Sequence, residues 1–221
     1  MGIIRMGPPQ ELILKLKDTC NIREFIETGT YLGNTTRWAG NVFDRVISIE
    51  RSESFYRNVV EKYSHLKNIE FLHGDSREKF HKILPELKTP ALFWLDAHWS
   101  GGETSGEKDE CPLIEEIEII NASGKEHFIF IDDARLFTSP PSPPHLAEQW
   151  PDISTIIHML NSARKRYIVI IEDIIISVPE SARPLVVEYC QKINAAEWRN
   201  DKALIFKGLN LVFEGLKRWI R

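Results

Sequence analysis

Five short apolar runs along the chain each end on an acidic residue: Phe25-Ile26-Glu27, Val46-Ile47-Ser48-Ile49-Glu50, Phe71-Leu72-His73-Gly74-Asp75, Leu92-Phe93-Trp94-Leu95-Asp96 and Phe128-Ile129-Phe130-Ile131-Asp132-Asp133. A buried parallel strand reads as a continuous apolar run, and open α/β sheets bind ligands in the crevice outside the carboxyl ends of their strands. Acids repeated at those ends line one edge of one sheet. A carboxylate is costly to bury unpaired, so a row of them calls for hydroxyls, amines or a cation to meet it.

Segments of helical character, Ser52 to Tyr63, Arg77 to Leu87 and Leu113 to Asn121, separate the runs. Strict alternation of strand and helix means a parallel sheet with right-handed crossovers. The pattern changes after the fifth run, where Tyr167-Ile168-Val169-Ile170-Ile171 and Ile174-Ile175-Ile176-Ser177-Val178 are separated only by Glu172-Asp173. Two residues join antiparallel strands, although Glu-Asp is not a favoured hairpin turn and one long bent strand is the alternative. Pro8-Pro9 followed by Leu12, Ile13, Leu14 and Leu16 predicts an N-terminal helix. Ala182 to Trp198 and Leu209 to Ile220 read as helices at the other end.

At 221 residues the chain suits one α/β domain over 1–221, with a helical extension over 1–22 and a helical region over 179–221. The net charge is -4, and Lys and Arg are scattered, so no basic stripe argues for nucleic acid. Cys20, Cys111 and Cys190 stand far apart and in no ligand spacing, which predicts buried thiols in a reducing compartment. Residues 1–6 lack the apolar core of a signal peptide, and no run reaches membrane-spanning length. The expectation is a cytoplasmic protein without a membrane partner. Leu216, Trp219 and Ile220 would serve either a core or a homodimer contact.

Glu27-Thr28-Gly29-Thr30-Tyr31-Leu32-Gly33 sits where the first strand turns into the first crossover helix. Gly29 lets the backbone turn tightly beside a ligand, and Gly33 lets the helix start close to it. Glu50, about twenty residues on, is placed to accept hydrogen bonds from both hydroxyls of a ribose, and Asp75 to meet an adenine amino group; for both, a helix cap is the alternative. A nicotinamide-binding loop would carry a second glycine where Thr30-Tyr31 stands.

From Glu27 through the hairpin near Val178 the chain resembles the S-adenosylmethionine-dependent methyltransferases of the Rossmann-like class. The resemblance implies a mostly parallel sheet with a C-terminal antiparallel hairpin and helices on both faces. It implies a cofactor-binding set of Glu27, Gly29, Thr30, Gly33, Glu50 and Asp75. The family's fuller loop has a further glycine beside Gly29 that this chain lacks.

Leu95-Asp96-Ala97-His98-Trp99 and Ile131-Asp132-Asp133 end adjacent strands in the methyltransferase order, so three carboxylates converge. Like charges so close need a proton or a metal, and oxygen ligands suit Mg²⁺. The arrangement is similar to the metal-dependent O-methyltransferases of the catechol and macrocin types, which places Mg²⁺ on Asp96, Asp132 and Asp133. His98 is the candidate base beside Asp96, with a structural histidine as the alternative. The catechol type carries a lysine where Trp99 stands here. Asp133 would otherwise cap a turn or pair with Arg135. The implied activity is O-methylation of a small-molecule hydroxyl. A metal-independent methyltransferase, or a non-catalytic binding or assembly protein on the same scaffold, is the alternative.

The loops Ser100 to Glu110 and Ser139 to Pro144 leave the same sheet edge, rich in Gly, Ser and Pro. They read either as ordinary surface loops or as a lid over the acceptor.

Overall fold

The computed structural model describes residues 7–99, 109–196 and 198. Contacts group the chain into two units, Met1–Arg183 and Pro184–Arg221. In the second, residues 184–196 are helical. The closing helix expected over Leu209 to Ile220, with its homodimer stripe, and most of the Ser100 to Glu110 loop lie outside the described residues.

The first unit holds helix α1 (Gln10–Cys20) and then an alternation of β1 (Glu24–Thr28), α2 (Asn34–Gly40), β2 (Arg45–Glu50), α3 (Glu53–Tyr63), β3 (Ile69–His73), α4 (Ser76–Ile83), β4 (Leu92–Leu95), α5 (Leu113–Ala122) and β5 (Phe128–Ile131). Short α6 (Arg135–Thr138), α7 (Ile153–Asn161), β6 (Arg166–Ile171) and β7 (Ile174–Pro179) complete it. The seven strands form one sheet in the order β3-β2-β1-β4-β5-β7-β6. The first five are parallel, and β7 runs antiparallel to both β5 and β6. The reversal between β1 and β4 makes the crevice in which doubly wound folds bind ligands.

Alternation along each strand supplies both faces of the sheet. Ile26, Ile47, Phe93, Leu95, Ile129 and Ile131 join a buried cluster with Phe80 of α4, Ile117 of α5 and Ile156 of α7. Phe25 points the other way, with its ring centroid 6.1 Å from Trp38 of α2 and 5.2 Å from Phe43.

Glu172 and Asp173 form the hairpin turn, both with positive φ, 52° and 68°. That is the backbone of a two-residue turn matched to strand twist, adopted here without the usual Asn-Gly. Asp173 is secured by its partners: its carbonyl accepts from Ala134 N at 2.8 Å and its Oδ1 from Arg135 N at 2.8 Å.

The buried-thiol expectation needs correction. Cys20 is exposed and Cys111 and Cys190 are half-buried. Cys20 is the last residue of α1, where the chain leaves the core through a left-handed Asn21. Among the described residues no helix is long and apolar enough to cross a membrane.

Candidate functional site

Strand register decides where the acids arrive. Thr28 pairs with Ile49 and Leu95, and Leu95 with Ile131, so Glu50, Asp96 and Asp132 are each the next residue along one sheet edge. Glu27 lies two residues short of that edge, level with Ser48 and Trp94. It shares the face of Phe25, and its carboxylate accepts from Ser48 Oγ at 2.5 Å and from Thr36 Oγ1. At 2% exposure, burial pushes its pKa up to about 7 against the two hydroxyl bonds, with the Glu50 charge adding a smaller upward push. Thr30 joins the network through Ser48, 2.6 Å away. Glu27 and Thr30 thus brace the loop from beneath.

Gly29 has φ +80°, and a Cβ there would stand 2.0 Å from the Asp96 carbonyl oxygen, so only glycine lets β1's loop pass over the end of β4. Gly33 opens α2 in the left-handed region, and its missing Cβ makes room for the Tyr63 ring. Glu50 closes the loop. Its Oε2 accepts from Tyr31 N and its Oε1 from Ser52 N, both at 2.8 Å. Each oxygen keeps a lone pair, enough for the two hydroxyls of a ribose. Asp75 adopts the cap alternative. Its Oδ1 accepts from Arg77 N and its two oxygens take Arg77 Nε at 2.9 Å and Nη2 at 2.7 Å, and these bonds hold its pKa below the usual range.

At the other half of the edge, His98 Nε2 lies 2.9 Å from Asp133 Oδ2 and His98 Nδ1 3.6 Å from Asp96 Oδ1. Asp96, His98 and Asp133 each offer a ligand atom within 4.8 Å of the others. The group therefore includes His98 in place of Asp132, whose Oδ1 turns back to accept from Asp133 N at 2.9 Å. The φ of +55° at Asp133 is what swings its carboxylate toward His98. Burial and the Asp132 and Asp133 charges push Asp96 well above the ordinary carboxylate range, and burial and Asp133 push Asp132 up to about 6. Burial raises Asp133 as well, but His98 and Arg135 outweigh it and leave its pKa lowered. Arg135 Nη1 donates to Asp133 Oδ1 at 2.6 Å, the pairing noted as the alternative to a metal. His73, by contrast, packs on Tyr56 with centroids 5.1 Å apart.

Sequence reasoning missed Glu116. It projects from α5, is 1% exposed, and lines a small cavity with Ala97, His98 and Cys111. Its Oε1 has no hydrogen-bond partner among the described residues, and burial pushes its pKa to about 7. The run Leu113-Ile114-Glu115-Glu116-Ile117 held the signal, because helical spacing from Leu113 and Ile117 puts Glu116 on the core face.

No family model matches the chain, and no curated protein does. Solved structures do. TomG, an O-methyltransferase from Streptomyces achromogenes solved with S-adenosylmethionine, is similar over 80% of this chain and 82% of its own, at 15% identity and TM-score 0.51. A Staphylococcus aureus protein assigned provisionally as a caffeoyl-CoA O-methyltransferase covers 80% and 86%, at 13% identity and TM-score 0.55. The Podospora anserina methyltransferase PaMTH1, solved with S-adenosylhomocysteine, covers 79% and 79%, at 15% identity and TM-score 0.51. With the strand order and its antiparallel finish, these likenesses identify the fold as that of the Rossmann-like methyltransferases, resembling the O-methyltransferases among them.

Proposed function

We propose that the protein is an S-adenosylmethionine-dependent methyltransferase that methylates a hydroxyl of a small molecule with the help of a divalent cation. The observation that carries this reading is the gathering on one sheet edge of the Gly29 loop, closed by Glu50, and the Asp96, His98 and Asp133 group. S-adenosylmethionine, when bound, supplies a methyl group on a positively charged sulfur. Glu50 would accept from its ribose hydroxyls, Gly29 and Gly33 would give its methionine end close approach to the backbone, and Asp75 would border its adenine.

His98 serves as the base. Asp133 holds its Nε2–H, which leaves the Nδ1 lone pair to take the acceptor's proton. Bound S-adenosylmethionine would supply its methyl carbon to the hydroxyl oxygen, the electron pair of the carbon–sulfur bond leaving with sulfur. Aligning the two reactants supplies up to about 7–11 kcal/mol, against about 10²- to 10⁴-fold for the base, so positioning carries most of the rate. With Mg²⁺ on Asp96, Asp132 and Asp133, as expected, His98 stays the base; used instead as a ligand through Nδ1, it would complete with Asp96 and Asp133 a site for a divalent cation that accepts both oxygen and nitrogen, such as Mn²⁺. Such a cation would act as a Lewis acid on the hydroxyl.

A metal-independent methyltransferase is the second reading, favoured by one observation: His98 and Arg135 already occupy both oxygens of Asp133. Calorimetric titration of S-adenosylhomocysteine, with Mg²⁺ and then with a chelator, tests both. Saturable one-to-one binding is expected, and its absence from folded protein would remove methyl transfer. Methylation of an identified acceptor that survives the chelator would select the second reading.

A further inference from the structure

Glu110 carries a carboxylate that the proposed chemistry does not use, yet it is 1% exposed. A buried charge persists where its lone pairs are met, and here they are. Oε1 accepts from Leu146 N at 3.0 Å, while Oε2 accepts from Trp150 Nε1 at 2.6 Å and from His145 Nδ1 at 3.0 Å. The Glu110 backbone adds two more bonds, from its N–H to Gln149 Oε1 at 3.0 Å and from Trp99 N to its carbonyl at 2.8 Å. One residue thus ties the chain after β4 to the chain after β5.

The indole that Glu110 grips is packed on the candidate base. The Trp150 and His98 ring centroids are 5.5 Å apart, with His145 and Phe137 at 5.2 and 5.7 Å from the same indole. Asp133 fixes the imidazole by its edge, and Trp150 packs against it with the two ring planes 58° apart. We infer that Glu110 is a positioning residue for His98, acting through the Trp150 indole. The inference rests on the reading of His98 as the working imidazole of the site. Removing the carboxylate, as in Glu110→Ala, takes the acceptor away from Leu146 N, Trp150 Nε1 and His145 Nδ1 together, so the indole is no longer pinned, whereas a glutamine could keep Trp150 and His145 on its one oxygen.

The test uses the full chain and the variants Glu110→Ala, Trp150→Phe and the double variant. Trp150→Phe keeps a ring but removes the N–H that Glu110 holds. Two readouts are taken, Mn²⁺ affinity by calorimetry and the nuclear Overhauser contact between the His98 ring and the ring at 150. Each single variant is expected to weaken Mn²⁺ binding about tenfold, as loss of a group that orients a ligand does. Each is also expected to weaken the ring contact, and the double variant to do no worse than either, because both changes cut one chain of contacts. Unchanged affinity and ring contact in Glu110→Ala, or effects that add in the double variant, would overturn the inference. If wild-type protein binds no Mn²⁺, the cation part of the proposed function fails, and the ring contacts alone decide the role of Glu110.

Discussion

Glu27 is an acid on a strand face that otherwise carries Phe25, and its surroundings set a measurable pH dependence. With a folded pKa of about 7 against an ordinary 4.5, the folded chain keeps a proton that the unfolded chain has released. The associated stability is therefore present below pH 4.5 and is lost as pH rises through 7, about 3 kcal/mol in all. Glu27→Gln keeps an oxygen for Ser48 and Thr36 and cannot ionise. It is expected to match wild type at pH 4.5 and to exceed it by up to about 3 kcal/mol at pH 8 in urea unfolding; equal pH slopes would show that Glu27 does not titrate there. The glycines give a second contrast. Gly124→Ala, at φ +74° in open space, is expected to cost only the left-handed penalty of about 1–2 kcal/mol. Gly29→Ala adds a clash with the Asp96 carbonyl, so it should cost more and also weaken S-adenosylhomocysteine binding. Equal losses in the two variants would mean that the loop yields. Gly29 and Gly33 were legible in the sequence because a turn after a strand needs them. The depth of Glu27 was not, because a run ending in an acid does not say whether the strand stops there: β1 continues through Thr28, which leaves Glu27 level with buried Ser48 and two residues short of Glu50.

At the scale of elements, the sheet was legible because its parallel strands are unbroken apolar runs and its hairpin is two runs with no room for a crossover. Contacts set by tertiary packing were not. Glu110 reaches the site from the segment that follows β4, and nothing local distinguishes it from neighbouring acids such as Asp109, while Glu116 is told from exposed Glu115 only by the helical spacing of α5. His127 illustrates the same limit at the opposite edge of the sheet. Fully buried, it accepts from Ala91 N through Nδ1 at 3.0 Å and meets Ser123 Oγ through Nε2 at 3.0 Å, joining the start of β4 to the end of α5. That bonding requires the neutral ring, and burial, with help from Lys125 and Arg166, lowers its pKa to about 4. The unfolded chain takes up a proton near pH 6.5 that the folded chain refuses, so this contribution is present above 6.5 and lost as pH falls through 4, about 3 kcal/mol. Acid unfolding of His127→Gln should lack that component while starting from a less stable protein at pH 7. An unchanged acid slope would place the sensitivity elsewhere.

Across the molecule, one sheet edge carries two candidate ligand regions, the ribose end at Glu50 and the acidic end at Asp96, His98 and Asp133. They meet where the Gly29 loop crosses the Asp96 carbonyl and where Asp96 N donates to Thr28 O at 3.1 Å. A ligand at either end must order this shared junction, and the second to arrive finds that cost already met. The acidic end also concentrates negative charge in a chain of net charge -4, which favours a cation there independently of the cofactor. S-adenosylhomocysteine and Mn²⁺ are therefore expected to tighten each other's binding, by roughly 5-fold or more if the coupling reaches the usual 1–3 kcal/mol. By linkage the factor is the same in both directions, so titrating each ligand in the presence and absence of the other measures one quantity twice. A factor of one, with both ligands bound, would mean that the Gly29 and Asp96 junction is equally rigid whether the edge is empty or filled, and that the two halves of the site assemble independently.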